Sequence, residues 1–265
     1  GRLLPQVVYY LSTYAELVKA GEIQLGEAIN VVVPTGNFGN ILAAYYAKKM
    51  GLPVNKLICA SNANNVLTDF LTTGVYDRNR AFYATTSPSM DILISSNLER
   101  LLYDLCGRDD ATIRDWFGQL GKTGRYEVSQ DVKDQIKELF WAGCCDDEGT
   151  KQTIGDTFRK DHYLCDTHTA VAVNVYRQYK ETTGDQTKTV IASTASPYKF
   201  ASSVLGAITD NIPEDEYAQI DELNRISGLP VPKALAELKN KPVRFTGSIE
   251  KSEMEETVLK LLGIG

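Results

Sequence analysis

Residues 29–46 constrain this chain more than any other stretch. Ile29, Asn30, Val31, Val32 and Val33 form a short β-branched run, which predicts a strand covered on both faces. Pro34 ends the run, and residues 41–50 are good helix formers without proline or glycine. Between strand and helix, Gly36 and Gly39 permit backbone conformations that other residues resist and leave no side chain between the peptide N–H groups and a ligand. A strand that turns tightly into a helix sets the helix's unpaired N–H groups and positive dipole end beside the loop, which suits phosphate. Asn37 and Asn40 add side-chain donors. The same spelling also suits an ordinary glycine-rich βα turn with no ligand.

Two common phosphate loops are excluded. A Walker loop opens its helix with Gly-Lys-Ser/Thr, and Gly39, Asn40 and Ile41 supply no lysine; a dinucleotide turn needs the G-x-G-x-x-G spacing, and Gly36 and Gly39 do not follow it.

The remaining periodicities predict an α/β chain. Leu4, Val7, Val8, Leu11, Tyr14, Ala15 and Val18 recur at three- and four-residue steps as one helical stripe, stopped by Lys19 and Gly21. Residues 56–60 predict a second buried strand and 67–71 a helix closed by Gly74. Ser96 and Glu99 suit a capping box for a helix carrying Leu98, Leu101, Leu102 and Leu105, or a plain loop and cap. Helices are predicted over 109–120, over 128–141 with Val132, Ile136, Leu139 and Phe140 on one face, over 150–160, and over 167–179 behind a cap at Asp166 or Thr167. Residues 188–192 predict a third strand, followed by a hydroxyl-rich loop and a helix to residue 208. From 214 onward three helices are expected around Val243, Arg244 and Phe245, with Pro232 at a helix start and Gly263 near a helix end. This alternation specifies a parallel or mixed twisted sheet flanked by helices. Ligands bind such sheets beyond the carboxyl ends of the strands, so the loops after residues 33 and 192 should face one crevice. Thr194 there offers a ligand hydroxyl or a helix cap.

With 265 residues, 43% of them hydrophobic, one large domain over 1–265 is expected, with 213–265 as a possible helical extension of it. The balance of 28 Lys and Arg against 34 Asp and Glu, without a basic face of interleaved aromatics, argues against nucleic-acid binding. No apolar stretch approaches the roughly 18 residues of a membrane helix, so a soluble, cytoplasmic protein with no membrane partner is expected. Cys59, Cys106, Cys144, Cys145 and Cys165 contain no C-x-x-C pair, which suits a reducing compartment. His162, Cys165 and His168 lie close in sequence, but their spacing departs from the usual ligand patterns; solitary residues and no metal site are expected. The opening lacks an initiator methionine and runs straight into an amphipathic helix, so a piece of a longer protein is expected.

Thr35, Gly36, Asn37, Phe38, Gly39 and Asn40, with Ile41, Leu42, Ala43 and Ala44 behind them, resemble the phosphate-binding loop of threonine synthases, pyridoxal-phosphate (PLP) enzymes of the tryptophan-synthase-β-like family. Residues 1–6, 87–92 with 96–100, 166–171 and 193–200 resemble further segments of that family, in its order. The resemblance implies that Gly36, Asn37, Phe38, Gly39 and Asn40 hold the 5′-phosphate of PLP and that Thr194 meets its pyridine nitrogen. It implies Arg2 near a substrate phosphate, and matches Asp91, Asn97 and Arg100 without a role. The implied reaction, the last step of threonine biosynthesis, converts O-phospho-L-homoserine and water to L-threonine and phosphate.

The family's Schiff-base lysine lies upstream of the phosphate loop, in a segment this chain lacks; Lys48, Lys49, Lys56 and Lys199 have none of its surrounding motif. The expectation is therefore a C-terminal portion, most of the large PLP domain, with no catalytic residue of its own, inactive alone and completed by the missing N-terminal part. Ser196 stands where the family pattern has a histidine before Pro197. The alternative is a non-catalytic α/β phosphate- or anion-binding module.

Overall fold

The computed structural model describes residues 1–244 and 246–264. The first of two compact units, Gly1–Ser227, begins with α1 (Leu4–Lys19), β1 (Ile29–Pro34), α2 (Gly39–Lys49), β2 (Val54–Ser61), α3 (Val66–Thr73) and β3 (Val75–Asp77). It continues with α4 (Leu98–Leu105), α5 (Asp110–Thr123), β4 (Arg125–Glu127), α6 (Gln130–Leu139), β5 (Phe140–Cys144) and α7 (Asp147–Asp161). The unit closes with α8 (Thr167–Thr183), β6 (Thr189–Ile191), α9 (Ala201–Ile208) and α10 (Glu216–Ser227). The second unit, from Gly228, carries α11 (Lys233–Ala236) after Pro232, and α12 (Met254–Leu262) ending at Gly263. Phe245, expected in a short segment there, and Gly265 lie outside the described residues.

Four parallel strands form the sheet in the order β5-β2-β1-β6, with Val31 beside Leu57 on one side and Val190 on the other. Every residue of β1 is buried. Its alternation sorts two cores: Val31 and Val33 join Leu57 and Cys59 under α1, α2, α3 and α6, while Val32 joins Ile58 and Ala60 against α8. The sheet is thus clothed by helices on both faces. β3 and β4 pair antiparallel, stacking Tyr76 on Tyr126 with ring centroids 5.4 Å apart.

Three expectations are corrected. Residues 128–141 are not one helix: α6 ends at Leu139 and the chain passes directly into β5, where Ala142 pairs with Cys59 of β2. The inward face of α1 is Val7, Tyr10 and Tyr14, whereas Leu4, Val8 and Leu11 of the expected stripe are exposed. The tyrosines win because Tyr10 and Tyr14 reach hydroxyl partners at Asn40 and Glu27 as their rings are buried. Ser96 and Glu99 form no capping box; Asn97 holds the N-cap position of α4, and its side chain is engaged elsewhere.

At the amino end of the strands, buried Asn30 donates to Asp185 at 2.8 Å and accepts from the Lys56 amide at 3.1 Å, tying β1, β2 and the α8–β6 turn together. The carboxyl end is left to the loops. No helix among the described residues is long and apolar enough to cross a membrane.

Candidate functional site

The loop after β1 leaves the sheet at Thr35, whose amide donates to Ala60 at 2.8 Å and whose hydroxyl donates to Val33 at 2.7 Å. Neither Gly36 nor Gly39 takes a positive φ; the left-handed residue is Phe38, at φ 62°. That conformation costs a residue with a Cβ roughly 1–2 kcal/mol. The cost is offset because the Phe38 ring, 1% exposed and 5.8 Å from Phe140, enters the core, worth about 1.5–3 kcal/mol.

The glycines serve close approach. A Cβ on Gly36 would lie 3.0 Å from the Ser89 carbonyl oxygen and 3.1 Å from Met90 Cα, and one on Gly39 would lie 3.3 Å from Asn97 Nδ2. The loop's carbonyls point into the same wall: Ser95 Oγ donates to Gly36 O at 2.9 Å, and Asn97 donates to Asn37 O from Nδ2 at 2.7 Å and from its amide at 3.2 Å. Because a trans peptide sets its N–H opposite its C=O, the amides of Asn37 and Phe38 turn away from that wall. Among the described residues, none accepts a hydrogen bond from the amides of Gly36, Asn37, Phe38, Gly39 or Asn40.

These residues line a cavity of about 750 Å³. Arg2, Ser96, Asn97, Arg100, His168, Thr194 and Lys199 also reach it, so Thr194 and the loop after β1 do face one crevice. Among the described residues its side-chain cations are Arg2, Arg100 and Lys199, and its lining holds no carboxylate. Asn40 Oδ1 accepts from Tyr10, which leaves its NH2 as the free end. Ser196 is absent from the lining and instead caps the turn at residues 197–200, accepting from the Tyr198 amide at 3.3 Å.

The wall behind the loop is itself braced. Asp91 accepts at Oδ1 from Asn62 (2.7 Å), Asn64 (3.0 Å) and Thr85 (2.7 Å), and at Oδ2 from the Thr85 amide (2.9 Å). Asp91, Asn97 and Arg100 thus acquire positions: Asp91 folds the 85–91 loop, Asn97 clamps the cup, and Arg100 Nη1 donates to Asn97 Oδ1 at 2.9 Å. Sequence reasoning missed Ser89, Met90 and Ser95 as backing, and His168 as a wall residue. A hydroxyl and amide cluster near a glycine loop was the available signal for the backing; Phe38 offered none.

The family model "Threonine synthase, C-terminal" matches residues 169–258. Threonine synthase-like 1 of Homo sapiens is 42% identical over 232 residues, covering 87% of this chain and 31% of that protein. The crystal structure of threonine synthase from yeast superposes with a TM-score of 0.83 at 30% identity, covering 99% of this chain and 52% of that one. PLP-bound threonine synthase from Brucella melitensis gives 0.73 at 38% identity, covering 83% and 46%.

This chain is similar to the C-terminal part of threonine synthases.

It spans about a third of the threonine synthase-like protein and about half of the threonine synthases. Its sheet and clothing helices are the large α/β domain of the PLP-dependent, tryptophan-synthase-β-like fold. The cup fits a phosphate group by its own chemistry: among the described residues, five amides without an acceptor, a cradle that a Cβ would fill, and cations in the same cavity. Of the four lysines weighed above, Lys48, Lys49 and Lys56 lie outside that cavity. Lys48 donates to Val54 O, Lys49 pairs with Asp104 at 3.3 Å, and Lys56 donates to Lys137 O at 2.9 Å. Lys199 reaches the cavity with its ammonium 5.4 Å from the Phe200 ring centre.

Proposed function

We propose that this chain anchors PLP in a threonine synthase that converts O-phospho-L-homoserine and water to L-threonine and phosphate, and that residues 1–265 alone are inactive. The row of acceptor-free amides at residues 36–40, backed by glycines with no room for a Cβ, carries this reading. These amides and the Asn40 NH2 would hold the cofactor's phosphate. Thr194, across the cavity, would meet the pyridine nitrogen; a neutral hydroxyl there leaves that nitrogen less charged than a carboxylate would. When bound, PLP supplies an electron sink for carbanions formed on the amino-acid substrate.

Arg2, Arg100 and Lys199 make the rest of the cavity positive, which favours a dianionic phosphate substrate and would stabilise the charge on that phosphate as it leaves the carbon chain. By resemblance to the family the covalent lysine would lie upstream of residues 1–265; Lys48, Lys49 and Lys56 are committed elsewhere, and Lys199, in the turn after β6, is the one of these four that reaches the cavity.

The test is to express the complete reading frame, add PLP, reduce with borohydride and map the modified peptide, while assaying phosphate release from O-phospho-L-homoserine. An adduct upstream of Gly1 with threonine formed is the expected result. An adduct at Lys199 overturns the account of the lysine, and neither adduct nor turnover makes the chain an anion-binding module.

A further inference from the structure

Two walls of the cavity, the residue 87–90 turn that backs the cup and the residue 194–200 segment that carries Thr194, come from distant parts of the chain. They meet at one side chain. His168, 4% exposed in the first turn of α8, accepts at Nε2 from the Ser89 amide at 3.2 Å. Its ring lies 4.8 Å, centre to centre, from Phe200. A ring that accepts at Nε2 carries its proton on Nδ1. Nδ1 lies 3.3 Å from Asp166 Oδ1 and 3.3 Å from Thr167 Oγ1.

Asp166 is in turn fixed as the N-cap of α8, accepting from the His168 amide at 2.8 Å and the Thr169 amide at 3.3 Å. Burial alone would raise its carboxyl, but hydrogen bonds from His168 and Thr169 outweigh burial and hold it below the usual carboxylate value. Thr169 Oγ1 bonds to Asp166 and reaches Ser193 Oγ at 3.3 Å, one residue before Thr194.

Resting on the function proposed above, we infer that His168 is a positioning residue that sets the spacing between the phosphate cup and Thr194. The cup's Gly36 has no clearance from Ser89 and Met90, so where His168 holds Ser89 decides where the cup sits. Phe200 and Ser193 bring the Thr194 loop to the same imidazole-bearing turn. A ligand that spans both walls needs their separation fixed; a ligand that touches the cup alone does not. His168 should therefore matter more for PLP than for inorganic phosphate.

The experiment compares the 265-residue chain with His168→Ala and His168→Gln, reading equilibrium affinity for PLP and for inorganic phosphate, and amide hydrogen exchange. His168→Ala should weaken PLP about tenfold and phosphate about twofold or less, the size of one lost hydrogen bond to a positioned wall. Exchange should quicken at the Leu42 and Asn97 amides that donate to the cup's carbonyls, at the bonded amides of residues 89–92, and at Tyr198 and Lys199, with β1 and β2 unchanged. His168→Gln, whose amide oxygen can accept from Ser89, should restore slow exchange at Leu42, Asn97 and residues 89–92 but not at Tyr198 and Lys199. Equal losses for both ligands, or faster exchange spread through β1 and β2, would make His168 an ordinary core residue and overturn the inference. If the unmodified chain binds no PLP, the proposed function fails at this chain, while the exchange pattern still decides the role of His168.

Discussion

Gly36→Ala is the smallest change that tests how the cup is built. The new methyl would sit 3.0 Å from Ser89 O and 3.1 Å from Met90 Cα, both backbone atoms. The wall that must yield is pinned by the Ser89 amide on His168 and by the four bonds to Asp91, so the strain cannot relax cheaply. Overpacking of this kind costs about 1–3 kcal/mol. Because Gly36 does not occupy a positive φ, alanine also restricts the unfolded chain, which returns about 0.4–1 kcal/mol. Taking the middle of each range, the net destabilisation is about 1.3 kcal/mol, or a fall in midpoint of about 3–5 °C for a unit of this size. Thermal unfolding followed by circular dichroism reads it directly. Gly39→Ala is the comparison, since its methyl meets side chains and no backbone, Asn97 Nδ2 at 3.3 Å and Leu3 Cδ2 at 3.6 Å. If Gly36→Ala is as stable as the parent, or no worse than Gly39→Ala, the close-approach argument for the cup is wrong.

Three further outcomes are expected. Phe38→Ala should cost about 3–5 kcal/mol by urea denaturation, because the buried ring is lost while alanine, which keeps the Cβ, leaves the left-handed backbone as strained as before. Asn97→Ala removes the 2.7 Å bond to Asn37 O but leaves the 3.2 Å amide bond, so the cup should loosen without unfolding. Amide exchange at residue 97, whose N–H keeps the remaining bond to Asn37 O, and at Leu42, which donates to Phe38 O, should rise about five- to tenfold, the scale of one net hydrogen bond. At the other end of the sheet, bonds from Thr187 first and Tyr179 next hold the Asp185 carboxyl well below the usual carboxylate range. A depressed carboxyl stabilises the fold above its unfolded value and loses that contribution as pH falls, so stability should drop from about pH 4 downward. Asp185→Asn should flatten that drop, as read from denaturation midpoints at pH 6 and pH 3.

The parts of this account legible in sequence are those fixed locally. The β-branched run, the proline and the glycines specify a strand, a turn and a helix start within one short stretch, and parallel-sheet topology then brings the loop after β6 to the same end. Where tertiary pairing decides, the sequence misleads. Phe140 continues the apolar spacing of α6, and no glycine or proline separates them; only pairing beside β2 turns residues 140–144 into a strand. Phe38 takes the left-handed position because its ring has a core to enter, which depends on Phe140, 102 positions away. His168 looked like one of three scattered soft ligands. The fold instead gives His162 the left-handed end of α7, buries Cys165, and turns His168 toward Ser89.

The central claim is that residues 36–40 hold the phosphate of PLP. Titrating PLP into the parent chain and into Gly36→Asp, followed by cofactor fluorescence and by the phosphorus resonance of the bound phosphate, tests it most directly. Saturable binding by the parent, lost when a carboxylate is placed in the cup, is the result this account requires. Equal binding by the two chains would contradict it.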